Sequence, residues 1–268
     1  LSWEKICISY TTSGKDINTK DFFIKQLQII GGNATVGALK SLLNDKDLCE
    51  PALAAIKAVG GSDAEAALSE SLKNKELPCA AGVMNALAEM KSGLAVDEFI
   101  SRAAAADLNI RSSALNALAV SGSPKAFDIL MKAAKDVLYR WEPSGSVSSL
   151  LKYADNAGSR GDLKTLDKIC KKLIADCNDR QSVQYKTEAL RIYSAAHGID
   201  AMNELLKAMR YPDKSYRAAA LQASLDIPGT EVVSKWIKLF PKASAEAKPA
   251  IIAMLGARKD ETALPLIT

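Results

Sequence analysis

Ala95-Val-Asp-Glu-Phe-Ile-Ser-Arg-Ala-Ala-Ala-Ala-Asp-Leu-Asn-Ile-Arg-Ser-Ser-Ala-Leu-Asn-Ala-Leu-Ala-Val-Ser-Gly122 is one structural unit, and the rest of the chain repeats it with drift. Val96, Phe99, Ile100 and Ala103 stand at i, i+3, i+4 and i+7, the spacing that lines one face of an α-helix. After a short turn, Asp107 and Arg111 open a second run whose Ala114, Leu115 and Leu118 again share one helical face. Gly122 closes it, because a residue without Cβ takes a positive φ at a helix end without steric cost. The unit is therefore expected to be an antiparallel pair of helices.

The first-helix stripe returns as Val36, Leu39 and Leu43; as Ala64, Ala67 and Leu68; and as Phe127, Leu130, Met131 and Ala134. It returns again as Leu166, Ile169, Cys170 and Leu173; as Met202, Leu205, Leu206 and Met209; and as Val233, Trp236, Ile237 and Phe240. Successive starts lie 28 to 39 residues apart, the period of a helical repeat array. Gly32, Gly60, Gly93, Gly122, Gly158, Gly198 and Gly229 keep the same time, which makes a second, independent marker.

The second helix, Asp107-Leu-Asn-Ile-Arg111-Ser-Ser-Ala114-Leu115-Asn-Ala-Leu118, resembles the HEAT-like pattern of Asp, an aliphatic-Arg pair, Ala-Leu and a closing Gly. Asp213 with Tyr216-Arg217, Ala220 and Leu221 repeats it, Lys186 with Ala189-Leu190 is a looser copy, and two earlier units put Cys49 and Cys79 near the Arg position. The resemblance implies an all-α, right-handed α-α superhelix, a solenoid of stacked helix pairs. It also implies similarity to HEAT-like regions of larger bacterial proteins that carry a glycan-hydrolase-related jelly-roll domain, which would place the parent outside the cytoplasm.

A chain of 268 residues exceeds what one globular core commonly holds, but a solenoid escapes that limit because each repeat packs only on its neighbours. Hydrophobic residues make up 48% and aromatics only 6%, so the interior must be built from Ala, Leu and Ile. The formal charge of +4 is too small to indicate nucleic-acid binding. No apolar run approaches the ~20 residues of a membrane span. Cys7, Cys49, Cys79, Cys170 and Cys177 include no Cys-x-x-Cys pair and are expected to be free, buried thiols. Cys170 and Cys177, two helical turns apart, stand too far from one another to be joined.

Residues 1–32 read as a worn first unit, with Trp3, Ile6, Cys7 and Tyr10 on one helix and Phe22, Phe23, Leu27 and Ile30 on the next. Thr11-Thr-Ser-Gly14 and Asp16 make the turn between them. Ser62-Asp-Ala-Glu65 is expected to be a capping box, and Ser123-Pro124 an N-cap followed by a first-turn proline. Unit four is irregular, its first helix ending near Tyr139 before a long turn, and unit seven's second helix is expected from about Ala245. Ala263, Leu266 and Ile267 reproduce the start of another first helix, so the sequence reads as a piece of a longer polypeptide. Residues 1–268 are expected to form a single domain of seven complete helix pairs with a worn first and a truncated last unit.

Most catalytic readings fail by arithmetic. With one histidine, His197, neither repeated His-Glu metal ligands nor an HExxH zinc site can be assembled, which sets aside a di-iron hydroxylase of the kind some HEAT-like arrays form. No phosphate-binding Gly-Lys-Ser/Thr loop and no Gly-x-Ser-x-Gly elbow is present. His197, in the last turn of a helix, suits the dipole there and has no evident partner in the sequence. The expectation is no enzyme, no cofactor and no metal.

Asp107, Arg111, Asp213 and Arg217 are expected to form an Asp-to-Arg ladder joining unit to unit. Turns of units four to six, which lie on one edge of a solenoid, hold Tyr139, Arg140, Trp141, Arg180, Tyr185, Arg210, Tyr211, Tyr216 and Arg217. Aromatics and arginines are what interface centres favour. Two readings stand: the edge contacts a partner, or Tyr185 and Tyr216 pack beneath the turns as enlarged core caps. On the inner face, exposed positions such as Lys57, Asn85, Glu89, Asn116, Lys152, Arg191 and Gln222 are mixed in sign and suit a protein better than a phosphate backbone.

The function expected from the sequence is a non-catalytic interaction or domain-docking scaffold, whose partner is a protein or another domain of the same polypeptide, with carbohydrate reached through the parent. The alternatives are a HEAT-like DNA glycosylase or other nucleic-acid-binding array, which Trp141, Trp236 and the +4 charge permit while the stripe position of Trp236 and the lack of a Lys/Arg run on the inner face oppose it, and a bilin-lyase-like array.

Overall fold

The computed structural model describes residues 2–13 and 16–263. Gly14, Leu266 and Ile267, which the sequence reading used for a turn and for a further repeat, lie outside the described residues. The fold is all-α, with no strand among the described residues. No described helix is long and apolar enough to cross a membrane.

The helices are α1 (Trp3–Ser13), α2 (Ile17–Ile30), α3 (Asn33–Leu39), α4 (Cys49–Val59), α5 (Gly61–Ser71), α6 (Ala80–Glu89), α7 (Val96–Arg102) and α8 (Leu108–Ser121). They continue as α9 (Ala126–Asp136), α10 (Ser146–Ser159), α11 (Leu163–Asp176), α12 (Val183–His197), α13 (Met202–Ala208), α14 (Lys214–Asp226), α15 (Glu231–Leu239) and α16 (Lys248–Arg258). Each first-helix stripe read from the sequence begins on the odd-numbered member of a pair. Where the sequence reading takes 1–268 as one continuous row, the chain gathers into two compact units, Leu1–Ala133 with Pro143–Ser149, and Ala134–Glu142 with Leu150–Thr268.

In the first unit the second helices stack in order, α2 on α4, α4 on α6 and α6 on α8, while α1 packs on α3 and α3 on α5. Small side chains allow this: Ala52 and Ala55 on α4, Ala86 on α6, and Ala114 and Ala117 on α8 are all buried beside Ile56, Leu87 and Leu118. The same rule holds in the second unit, with α12 on α14, α14 on α16 and α13 on α15. Its core runs through Leu190, Met202, Leu205, Ile251 and Leu255 around Trp236, which is fully buried.

Helix ends follow local chemistry. Asp16, Asp107, Asp162 and Asp213 each cap a helix by accepting a backbone N–H, and Gly122 takes the left-handed conformation (φ 71°) that ends α8. Other ends differ from the sequence reading. α1 runs on through Thr11, whose hydroxyl donates to the Cys7 carbonyl. Ser62 makes no capping box, because Gly60 and Gly61, at φ 66° and 75°, join α4 to α5 without a loop and place Ser62 inside the first turn. Ser123 and Pro124 form a separate turn, with the Ser123 hydroxyl accepting from Lys125 N–H before α9 begins at Ala126. α16 begins at Lys248 rather than near Ala245.

Neighbouring repeats are fastened in two ways that the sequence reading did not give. Arg102, at the end of α7, donates to the Leu72 and Asn74 carbonyls (2.7 and 3.1 Å) at the end of α5. Arg258, at the end of α16, likewise donates to Ile227 and Gly229 (both 2.8 Å) at the end of α14. Carbonyls that a helix C-terminus leaves unpaired are thus satisfied by the following repeat. The second fastening is covalent: Cys49 and Cys79, expected to be free thiols, form a disulfide with Cα atoms 6.0 Å apart. They stand 30 residues apart at matching places in successive repeats, so stacking α4 on α6 brings them together. Cys7, Cys170 and Cys177 are free and buried.

Candidate functional site

Three turns of the second unit carry the residues singled out in the sequence. The first follows α9, where Leu138 and Tyr139 both adopt positive φ (54° and 53°) and turn the chain sharply. The Tyr139 N–H donates to the Ala134 carbonyl, and its ring is buried. Burial, followed by the charge of Asp176, pushes that phenol above its ordinary pKa. The same reversal throws Trp141 outward, 71% exposed, and brings Arg140 to 3.4 Å from the Asp179 carboxylate.

The second turn, between α11 and α12, is built on Asp179, whose Oδ1 accepts from the Gln181 and Ser182 N–H groups and the Ser182 hydroxyl, all at 2.9 Å. These bonds, the Ser182 hydroxyl first, hold its carboxyl below the usual range. Arg180 projects from this turn, exposed and without a hydrogen-bond or ion-pair partner among the described residues. In the third turn, Arg210 is likewise exposed and its guanidinium unpaired among the described residues. Tyr211 beside it is half-buried, donates from its hydroxyl to the Asn178 carbonyl at 3.0 Å, and so ties the third turn to the second.

Beneath Tyr211 lies a residue that the sequence reading treated only as a loose copy of the repeat arginine. Lys186 is buried, with its ammonium 2.7 Å from the Asn178 side-chain oxygen and 4.3 and 5.3 Å from the Tyr211 and Tyr216 ring centroids. Among the described residues no carboxylate pairs with it, and burial pulls its pKa down. The ring quadrupoles and the amide dipole stand in for an anion. Burial also pushes the neighbouring Cys177 thiol up to about 12. The signal for Lys186 was its position: it occupies the place of Arg111 and Arg217 in the repeat.

The nine edge residues therefore divide. Tyr139, Tyr185 and Tyr216 are buried, as the core-cap reading has it for the last two, and Tyr211 is half-buried. Arg140, Trp141, Arg180 and Arg210 face solvent. Arg217 is turned inward, donating to the Tyr211 and Pro212 carbonyls (both 2.8 Å) and to Glu246 at 3.0 Å.

The Asp-to-Arg pairs of the expected ladder are not formed. Asp107 and Asp213 spend their carboxylates on helix N-termini, and Arg111 donates at 3.4 Å to Ala105 in its own turn.

Elsewhere in this unit His197 has the partner that the sequence did not reveal. Its Nε2 lies 2.6 Å from Asp167 Oδ1, and Lys171 donates to the other Asp167 oxygen at 2.7 Å. The Tyr193 ring stands 4.4 Å from the His197 ring. A groove of about 440 Å³ runs along α12 and α14, where Arg191 is neutralised by a forked pair with Glu188 and Gln222 lines the wall. Among the described residues no three His, Cys, Asp or Glu side chains are grouped as metal ligands.

Stacked helix pairs make this a helical-repeat protein. No family model matches the chain, and no curated protein does. Among solved structures, the chain is similar to an engineered protein from a structural-genomics consortium, at 15% identity and a TM-score of 0.48, over 95% of this chain and 79% of that one. It is also similar to human deoxyhypusine hydroxylase in complex with glycerol, at 15% identity and a TM-score of 0.39, over 85% of this chain and 91% of that one. That second structure is of an enzyme, and on this finding the expectations of a non-catalytic scaffold and of no enzyme are withdrawn. At these scores the likeness carries no activity, substrate or cofactor over to this chain.

Proposed function

We propose that the turn edge of the second unit binds an acidic segment of another polypeptide, with Trp141 as the anchor. The observation that carries this reading is an excess of uncompensated positive charge beside an exposed ring. Among the described residues Arg180 and Arg210 have no anion and Lys186 below them has no carboxylate, and Trp141 is 71% exposed next to Arg140, which is paired with Asp179. Fixed charges of one sign draw an oppositely charged ligand, and an aromatic-arginine cluster supplies the contact area that charge alone lacks. The Cys49–Cys79 disulfide supports an oxidising compartment for the chain, in keeping with the extracytoplasmic parent that the sequence resemblance implies.

The test uses a fluorescein-labelled peptide of ten glutamates, titrated at low and at physiological salt. Binding is expected to weaken with salt, because exposed charges are screened. Arg180→Ala with Arg210→Ala, and separately Trp141→Ser, should each weaken it about tenfold or more, while the far-ultraviolet circular dichroism stays unchanged. No binding at low salt, or equal binding by the variants, would overturn the reading.

A further inference from the structure

The free cations of the second unit's turn edge recur with the repeat. Arg180 lies in the turn between α11 and α12, Arg210 in that between α13 and α14, and Lys242 in that between α15 and α16, at separations of 30 and 32 residues. Each is exposed, and its side chain has no hydrogen-bond or ion-pair partner among the described residues. Their basic neighbours are already paired, Lys172 with Asp176 at 2.9 Å, Lys207 with Glu204 at 2.7 Å and Lys214 with Glu246 at 3.4 Å. Acids of the same turns are engaged too, Asp179 by Arg140 at 3.4 Å and Asp213 by the Tyr216 N–H at 2.9 Å. Each of these three repeats thus offers the edge one uncompensated positive charge. The turns stand side by side, because the Tyr211 hydroxyl is bonded to the Asn178 carbonyl, α13 packs on α15 and α14 on α16. Spacing along the row is therefore that of stacked helices, about 8–10 Å.

Resting on the reading of this edge as a site for an acidic segment, we propose that the segment is a polyproline II stretch with a carboxylate at every third residue. That helix has three residues per turn and rises about 3.1 Å per residue, so positions i, i+3 and i+6 share one face about 9 Å apart, in step with the repeats. A β-strand returns to the same face every second residue, at about 6.6 Å, and falls out of step. An α-helix comes back near the same face after seven residues, at about 10.5 Å, but it is a rod about 10–12 Å across, too broad for a track one cation wide. Polyproline II also arrives already extended, so little conformational freedom is lost on binding. Trp141, 71% exposed in the turn before that of Arg180, supplies a flat ring on which a proline of such a segment rests.

Two fluorescein-labelled peptides of one composition, five Glu-Pro-Pro triplets and five Glu-Pro pairs followed by five prolines, are titrated against the intact chain at low salt beside the ten-glutamate peptide. The triplet peptide is expected to bind about fivefold more tightly than the paired one, since only its carboxylates keep the spacing of Arg180, Arg210 and Lys242. Lys242→Ala should weaken the triplet peptide about threefold and leave the far-ultraviolet circular dichroism unchanged. Equal binding of the two peptides, an indifferent Lys242→Ala, or tighter binding by an α-helical peptide with glutamates seven residues apart would each overturn the proposal while binding of ten glutamates stands. Should the ten-glutamate peptide fail to bind as well, the reading of the edge falls and the proposal with it.

Discussion

Replacing Cys49 and Cys79 with alanine removes a covalent link between repeats, and the cost can be worked from the loop it closes. The cysteines are 30 residues apart, and tying a loop of that length removes denatured-chain entropy worth about 3.5 kcal/mol at 25 °C. Their Cα separation of 6.0 Å falls within the ordinary disulfide range, so the folded chain need not move to form the bond. Both residues are buried, at 1% and 3% exposure, so alanine at both positions adds a packing loss in the folded state to the entropic one. In a cooperative unit of roughly 140 residues the loss should lower the melting midpoint by on the order of 10 °C. Urea unfolding followed by circular dichroism, with and without dithiothreitol, reads the effect. The intact protein should shift on reduction and the double variant should not. A thiol count in denaturant without reductant should find three free cysteines of the five. Five free thiols, or a wild-type curve indifferent to reductant, would refute the reasoning.

Two further predictions concern the joints of the first unit. The Glu4 carboxylate accepts from the Gly32 N–H and the Thr35 hydroxyl, both at 2.8 Å, and the Gly32 bond leads in holding it below the ordinary glutamate value of 4.5. A folded-state pKa that is lowered gives stability present above the unfolded value and lost as pH falls through the folded one. Urea midpoints at pH 7 and pH 3 should therefore fall less for Glu4→Gln than for the wild type, and equal falls would count against this assignment. Arg102→Met leaves the Leu72 and Asn74 carbonyls and Glu98 without their donor and should destabilise by about 2 kcal/mol in urea unfolding. A loss below about 0.5 kcal/mol would mean that water replaces the guanidinium.

The helix pairs were legible because their period is carried by many residues at once. Val96, Phe99 and Ile100 set a face, Asp107 caps, Gly122 stops, and drift at any one position leaves the rest readable. Contacts that cross between repeats have no such redundancy. Cys49 and Cys79 lack a framework spacing, yet their separation of 30 is itself the repeat period, and reading the cysteines in repeat register would have paired them. Lys186 was hidden for a related reason: an Arg-to-Lys change at a repeat position looks conservative, but the ammonium cannot hold two turn carbonyls with one nitrogen and a carboxylate with another, as Arg217 does, and two tyrosine rings lie over it instead. The aromatic edge was only half readable, since sequence gives a residue's turn but not whether the ring folds under it or out of it. His197 and Asp167 lie 30 residues apart on facing helices, a pairing that only the register of α11 against α12 decides.

Arg102 and Arg258 reach back about thirty residues to finish helices that their own repeats do not contain. A repeat in this chain is therefore not a self-sufficient module: its closing carbonyls are paired by its successor. Recombination or truncation that cuts between α5 and α7, or between α14 and α16, strips the donor from the piece left upstream, even though every residue of that piece is untouched. Breakpoints that keep each helix end together with the arginine downstream of it are the ones from which this chain can be lengthened or shortened intact.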